Sequence, residues 1–413
     1  MKRKKMFIIV ITASCLIIII GAVVVRLLSV GSPLWLMIKL KDKKYQPITI
    51  TAPAYKMPVP NAFDTFVQAG KALVDTPKIK ELFPRVRDAS PDKLSSLAPE
   101  MRTLVVKNKH ALTLWRQGLA QSYRSSTAQL DNASRVFLMP CHNFAKLIYF
   151  NSRCQAIKGD WQGATRDALD LIQFGSTIPH GGMLLDGIMG CTIEKEGRLA
   201  LRPCLSRLDA QQTQEVMRRL TKASLEQLTA ADLLQQELDN AYAFSKAEML
   251  AGLSTGPDKP TIEEQQRMVL IMLDPYVRYM QRRITNARLP YAKQKRIPES
   301  NDVMTSVLAT RIDELELYIT KNQAQQDILL LECALHAYYL EHARYPTSLN
   351  KLTPTYLAKI PNDPFAHQGS YLYHPRKKGY LLYSVGPDSR DDGGKPLVYK
   401  GGKSWGDIIA GTE

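Results

Sequence analysis

An uncharged run from Met6 to Val25, preceded by Lys2-Arg3-Lys4-Lys5, constrains this chain more than any other feature of its sequence. Roughly twenty helical residues at about 1.5 Å each span ~30 Å, the thickness of a bilayer's hydrocarbon core. A cleavable signal peptide has a shorter apolar stretch ending at small residues. Thr12-Ala13-Ser14-Cys15 faintly resembles a lipoprotein cleavage site, yet the apolar residues continue well past Cys15. The run therefore reads as an uncleaved transmembrane helix partnered by membrane lipid, with residues 1–30 as the anchor. Lys2 to Lys5 favour a cytoplasmic N-terminus, although Arg26, Lys39, Lys41, Lys43 and Lys44 nearly balance them. Long following domains translocate largely regardless of such charge, so the body is expected outside the cytoplasm. Leu34 to Leu40 suits the interface, with Trp35 at headgroup level.

The remainder is long enough for two or three folded domains and ordinary in composition, 45% hydrophobic and 23% charged. The formal charge of +16 comes partly from the membrane flank and partly from Arg278–Arg296, a stretch with no acid. That stretch reads as a solvated helix face and loop. No recognisable nucleic-acid module accompanies it, so no nucleic-acid partner is expected. None of the six cysteines forms a CxxC pair, which argues against a zinc ribbon or thioredoxin-like site. Cys141, Cys154, Cys191 and Cys204 fall in one region, where an interhelical disulfide and free buried thiols are both open readings.

Residues 31–60 form a juxtamembrane segment and a tether punctuated by Pro47, Pro53, Pro58 and Pro60. Residues 61–300 read as an antiparallel α-helical bundle. Asn61, Ser90-Pro91 and Asp209 supply helix starts. Around Gly159-Asp160-Trp161, a ring follows the turn, with Ala164 and Ala168 at helical spacing behind it. This hairpin weakly resembles a tetratricopeptide-type unit, but it does not recur at a fixed period.

From about Ile319 the pattern changes. Ala324, Ile328, Leu331, Leu335 and Tyr338 mark an amphipathic helix that should stop near Ala343-Arg344, ahead of Pro346. Ser370–Tyr373 and Gly379–Ser384 read as strands joined at Pro375 to Gly379. The fold class expected is mostly α: a transmembrane helix, a helical bundle, and at 311–413 a small α+β domain with a long helix on an antiparallel sheet.

Several short motifs follow in order: Arg344-Tyr345-Pro346, Tyr356-Leu357, Ile360-Pro361-Asn362-Asp363-Pro364-Phe365, Tyr383-Ser384-Val385-Gly386-Pro387-Asp388, and Gly393-Gly394. Together they resemble the pilin-like domain of the type II secretion major pseudopilin. The family's cleavage site leading directly into the long helix is missing, and some 290 residues separate that helix from the membrane segment. The resemblance implies a pilin-like headpiece on a different anchored body, at a bacterial cytoplasmic (inner) membrane. It also implies a calcium loop, for which Asp388, Asp391 and Asp392 are the candidate metal ligands, with Asp407 and the Val385 carbonyl in support. The alternative is a polar, glycine-rich turn whose acids are solvated.

There is no GxSxG, HExxH or phosphate-loop pattern, and no cofactor is indicated. Glu332, Cys333 and His336 have metal-like spacing but sit in a helix that should be buried. The function expected is a membrane-anchored extracytoplasmic binding or scaffold protein, its protein partner unidentified, associated with a secretion or envelope assembly. The alternative is an enzyme with a site near His180, Asp186 and Glu194.

Overall fold

The computed structural model describes residues 41–50, 56–125, 132–253, 261–298, 300, 305, 312–400 and 403–413. The expected transmembrane segment, its basic flanks up to Lys39, Cys15 and Trp35 lie outside them. Among the described residues no helix is long and apolar enough to cross a membrane.

Eleven α-helices occur among the described residues: α1 Ala62–Lys71, α2 Thr76–Arg87, α3 Pro91–Lys107, α4 Lys109–Leu119, α5 Asn132–Ile157, α6 Trp161–Thr177, α7 Leu184–Leu205, α8 Ala210–Glu226, α9 Ala230–Leu253, α10 Ile262–Ala287 and α11 Ile312–His342. The strands are β1 Leu372–Pro375, β2 Tyr380–Ser384, β3 Val398–Lys400, β4 Lys403–Trp405 and β5 Ile408–Ile409. The fold is thus mostly helical with a small C-terminal antiparallel sheet.

Contacts divide the chain into two compact units. The first joins residues 41–50 to most of α9 and α10. Asp274, in the middle of α10, accepts from the Tyr45 hydroxyl, from Ile48 N at 2.7 Å and from Arg278 Nε at 2.7 Å. Burial pushes this carboxyl up, but these donors outweigh it and hold it below the usual range. The start of the expected tether is therefore pinned to α10. In the basic stretch, most side chains are exposed, but Arg283 is buried.

The second unit holds α1 to α8 and residues 313–413. Its helix starts follow the sequence. Asn61 Oδ1 accepts from Phe63 N at 3.1 Å, and Asp209 and Gln212 form a reciprocal capping box. α5 turns into α6 through Gly159 at φ +82°, and Asp160 Oδ1 accepts from Gly163 N at 2.8 Å. Ala164 and Ala168 are fully buried behind that turn, while Arg207 lies over the Trp161 ring at 5.4 Å. Asp167 binds Arg116, Asn151 and Gln155, tying α4, α5 and α6 together. Trp115, Phe66 and Phe174 meet edge to face beneath them. α6 and α7 approach so closely that a Cβ on Gly190 would lie 2.5 Å from the Gly175 carbonyl oxygen.

α11 ends at His342, as expected, but starts at Ile312, earlier than the apolar spacing suggested. β1 and β2 pair antiparallel with Leu372 opposite Tyr383 and Pro375 opposite Tyr380. β5 adds to the other edge of β2. β3 and β4 make a separate hairpin, absent from the sequence reading. The spine helix is not simply amphipathic. Asn322, Gln325, Gln326 and Asp327 are buried along with Ala324 and Ile328. The apolar stripe meets the sheet, and much of the polar face meets α7.

Candidate functional site

The polar face of α11 and the middle of α7 form a buried charged seam. Arg198 is fully buried. Its Nε and Nη2 donate to the two carboxylate oxygens of Glu413 at 3.0 and 3.1 Å. Nη1 donates to Asn322 Oδ1 at 3.0 Å, and Nη2 also reaches Gln325 Oε1 at 3.3 Å. One turn earlier on α7, Glu194 Oε2 accepts from Asn322 Nδ2 and from Gln227 Nε2 at 2.9 Å. One turn later, Arg202 pairs with Glu332 and lies 3.6 Å from Glu413. Bidentate guanidinium–carboxylate pairing of this kind fixes both distance and orientation.

Burial raises the Glu194 carboxyl to about 7, with Arg198, Asn322 and Gln227 pulling in the opposite direction. Burial likewise raises Glu332 against the pull of Arg202. Lys321 is pushed down by burial and then by its neighbours Lys195 and Arg198. The cavity between Cys191, Arg198, Tyr318 and Lys321 measures about 20 Å³. That volume holds about one water, far below a small-molecule site. The seam can clamp two elements together; it has no room for a substrate.

The three residues of the enzyme reading do not converge. His180 Nδ1 lies 3.0 Å from the Thr177 carbonyl oxygen within its own turn. Asp186 accepts from Met183 N at 2.8 Å as the first-turn acid of α7, and burial raises it to about 6. Glu194 lies eight residues further along the same helix, about 12 Å by helical rise. The Glu332, Cys333 and His336 set also diverges. Glu332 binds Arg202, Cys333 is fully buried, and His336 Nε2 lies 3.3 Å from the Leu208 carbonyl oxygen. Cys141, Cys154, Cys191, Cys204 and Cys333 are all free and buried.

The candidate metal loop is organised by hydrogen bonds. Asp407 Oδ2 accepts from Gly394 N at 2.7 Å and Lys395 N at 3.2 Å, and its Oδ1 from Asp392 N at 3.4 Å. Asp391 Oδ1 accepts from the Tyr383 hydroxyl and from Gly393 N, both at 2.9 Å. Asp392 accepts from Gly406 N, and Asp388 from Arg390 N. Calcium requires six to eight oxygens directed at one point. Among the described residues no three His, Cys, Asp or Glu side chains are gathered to hold a metal. In this structure one oxygen of each of Asp388, Asp391 and Asp392 accepts from a backbone amide, and Asp391 also accepts from the Tyr383 phenol.

Sequence reasoning missed Arg198, Asn322, Gln325 and Glu413. A signal was present: Glu194-Lys-Glu-Gly-Arg198 is a charged cluster in the middle of a mostly apolar helix, and Asn322-Gln-Ala-Gln-Gln326 is a run of amides just before the apolar stretch of the spine. Comparison with the curated proteins and with the solved structures returns no significant match to the chain. The model of the type II secretion system protein G family matches residues 318–397, which takes in most of the spine helix and the whole β1–β2 hairpin, so this part of the chain is a pseudopilin-like domain.

Proposed function

We propose that this chain is a membrane-anchored, extracytoplasmic binding or scaffold protein that presents a pseudopilin-like domain to a bacterial secretion or envelope assembly. The observation that carries this reading is the protein G match at residues 318–397 on a domain clamped to a helical body. Met6–Val25 is the proposed single-pass anchor in the cytoplasmic membrane, a reading that its length and lack of charge support.

The spine helix is covered by the sheet on one face and by α7 on another. Arg198 and Glu194 take up the polar groups of Asn322. A spine so enclosed has little free surface for stacking against copies of itself, which favours a fixed headpiece over a filament subunit. The residues of the enzyme reading serve as helix-end and seam contacts, and no geometry favours catalysis there.

The test is affinity capture of the full chain from native membranes in mild detergent, with quantitative mass spectrometry against an untagged control. Stoichiometric recovery of secretion or envelope components is expected. The protein should stay in the pellet after alkaline carbonate washing and retain Met1. Recovery of no such component, or release into the wash, overturns the reading.

A further inference from the structure

The C-terminal end of the spine helix and the β1–β2 hairpin carry a fixed aromatic face. Tyr339, Tyr345, Tyr380 and Tyr373 form a continuous series with ring centroids 4.9, 4.9 and 5.9 Å apart. Beside it, Tyr338 stacks on His342 at 4.1 Å and contacts Tyr356 at 5.8 Å. The Tyr373 hydroxyl donates to the Pro346 carbonyl oxygen at 2.8 Å, and the Tyr356 hydroxyl donates to Glu341. These contacts hold rings that are still partly open to solvent. Tyr339 and Leu340 are each 42% exposed. Rings already ordered lose little further freedom on binding, and tyrosine with arginine is the composition of interface hot spots.

The rim of this face is basic. Arg344 precedes Tyr345, and Arg376, Lys377 and Lys378 form the turn that leads into Tyr380. All four are exposed, and none makes an ion pair among the described residues. The neighbouring acid, Glu341, already accepts from Tyr356. Elsewhere in the domain, Asp327, Asp363 and Asp407 are buried, and the accessible Asp388, Asp391 and Asp392 lie in the loop after β2. Glu341 keeps its charge while accepting from Tyr356, but Arg344, Arg376, Lys377 and Lys378 outnumber it, so the aromatic end is net positive.

We propose that this face docks an acidic segment of a partner polypeptide, with its side chains packed on the tyrosine series and its carboxylates met by Arg344, Arg376, Lys377 and Lys378. This rests on the binding-protein reading above and specifies its partner by chemistry. A protein segment fits better than an anionic membrane surface. Membrane insertion needs several free apolar side chains, whereas these rings pack on one another, two of their hydroxyls are committed to Pro346 and Glu341, and Leu340 is the exposed aliphatic side chain next to Tyr339.

The test places the photoreactive residue p-benzoylphenylalanine at Tyr339 in the full chain in its native membrane. Leu225, 82% exposed on α8, serves as the control position. After irradiation, the cross-linked peptide is identified by mass spectrometry. The expected adduct is a polypeptide segment with a clear excess of Asp and Glu, absent from the Leu225 control. Combining Arg376→Glu, Lys377→Glu and Lys378→Glu should lower its yield at least tenfold. Raising sodium chloride from 50 to 500 mM should lower the yield of the unreversed protein as well, a readout independent of how the variant folds. Adducts to lipid alone, to a neutral or basic segment, or to nothing overturn the proposal, as does a yield indifferent to both charge reversal and salt. An acidic partner outside secretion and envelope assemblies would sink the assembly assignment and leave the docking chemistry standing. Secretion components captured with no adduct from Tyr339 would do the reverse.

Discussion

Replacing Arg198 with alanine tests the seam most directly. The guanidinium is fully buried and serves acceptors on three residues, Glu413, Asn322 and Gln325. Removing it leaves the Glu413 carboxylate with Arg202 at 3.6 Å as its remaining ion-pair partner among the described residues, and takes from Glu194 a neighbour that favours its charged form. Breaking one side of a buried ion pair costs about 3–5 kcal/mol, mainly because the surviving charge stays desolvated. For a unit of this size, each kcal/mol moves the melting temperature by about 2 °C, so a fall of roughly 5–10 °C is expected. The assay is thermal unfolding of the full chain in mild detergent, followed by far-ultraviolet circular dichroism. Arg198→Ala with Glu413→Gln should lose less than the sum of the two single changes, since the second removes the stranded charge. A shift under about 2 °C, or strict additivity, would refute the claim that this pair holds the pseudopilin-like domain to α7.

Glu194 sets a pH dependence. Its folded value of about 7 lies above the unfolded one, so the folded state binds the extra proton and stability falls as pH rises from about 4.5 to 7. Glu194→Gln should flatten that slope in melts taken between pH 5 and 8; an unchanged slope counts against it. Gly190→Ala forces a methyl to within 2.5 Å of the Gly175 carbonyl oxygen, and urea titration should show a loss of at least about 1–3 kcal/mol. Millimolar calcium or a chelator should leave the melt unchanged within about 1 °C. Asp407→Ala, which removes the acceptor of three backbone amides, should lower it and speed hydrogen exchange at Gly394 and Lys395.

Much of the architecture was legible in local chemistry. Asn61 and Asp209 cap helices because a short polar side chain can reach an amide two or three residues on, and that geometry depends on no distant residue. The Pro346 signal placed the end of α11, and β-prone runs placed β2 to within a residue and β1 two residues early, at Ser370–Tyr373 against the observed Leu372–Pro375. What failed depended on distant partners. β3, β4 and β5 are two or three residues long, too short for a periodic signal, and are held by pairing and by Asp407. The early start of α11 lies outside its apolar repeat. Asp388, Asp391 and Asp392 read as cation ligands because they lie close in sequence; the amide hydrogens they accept from come into view only in the fold. Arg198 and Glu413 lie 215 residues apart, and no spacing rule joins them.

The polar character of the seam bears on how the domain is mounted. An apolar face between α7 and α11 would give at least as much stability, since two desolvated charges recover little beyond their own desolvation cost. It would also tolerate sliding, because aliphatic contacts have no required direction. Arg198 instead needs Glu413 in its fork, Asn322 at Nη1 and Gln325 at Nη2 together, while Asn322 must also reach Glu194. A shift of one residue along α11 rotates Asn322 by about 100° and strands Arg198 and Glu194 together. The network therefore penalises every register but one. On the binding-protein reading proposed above, a fixed register sets the direction in which Tyr339 and the Arg376–Lys378 turn face, because both follow how the spine helix is seated.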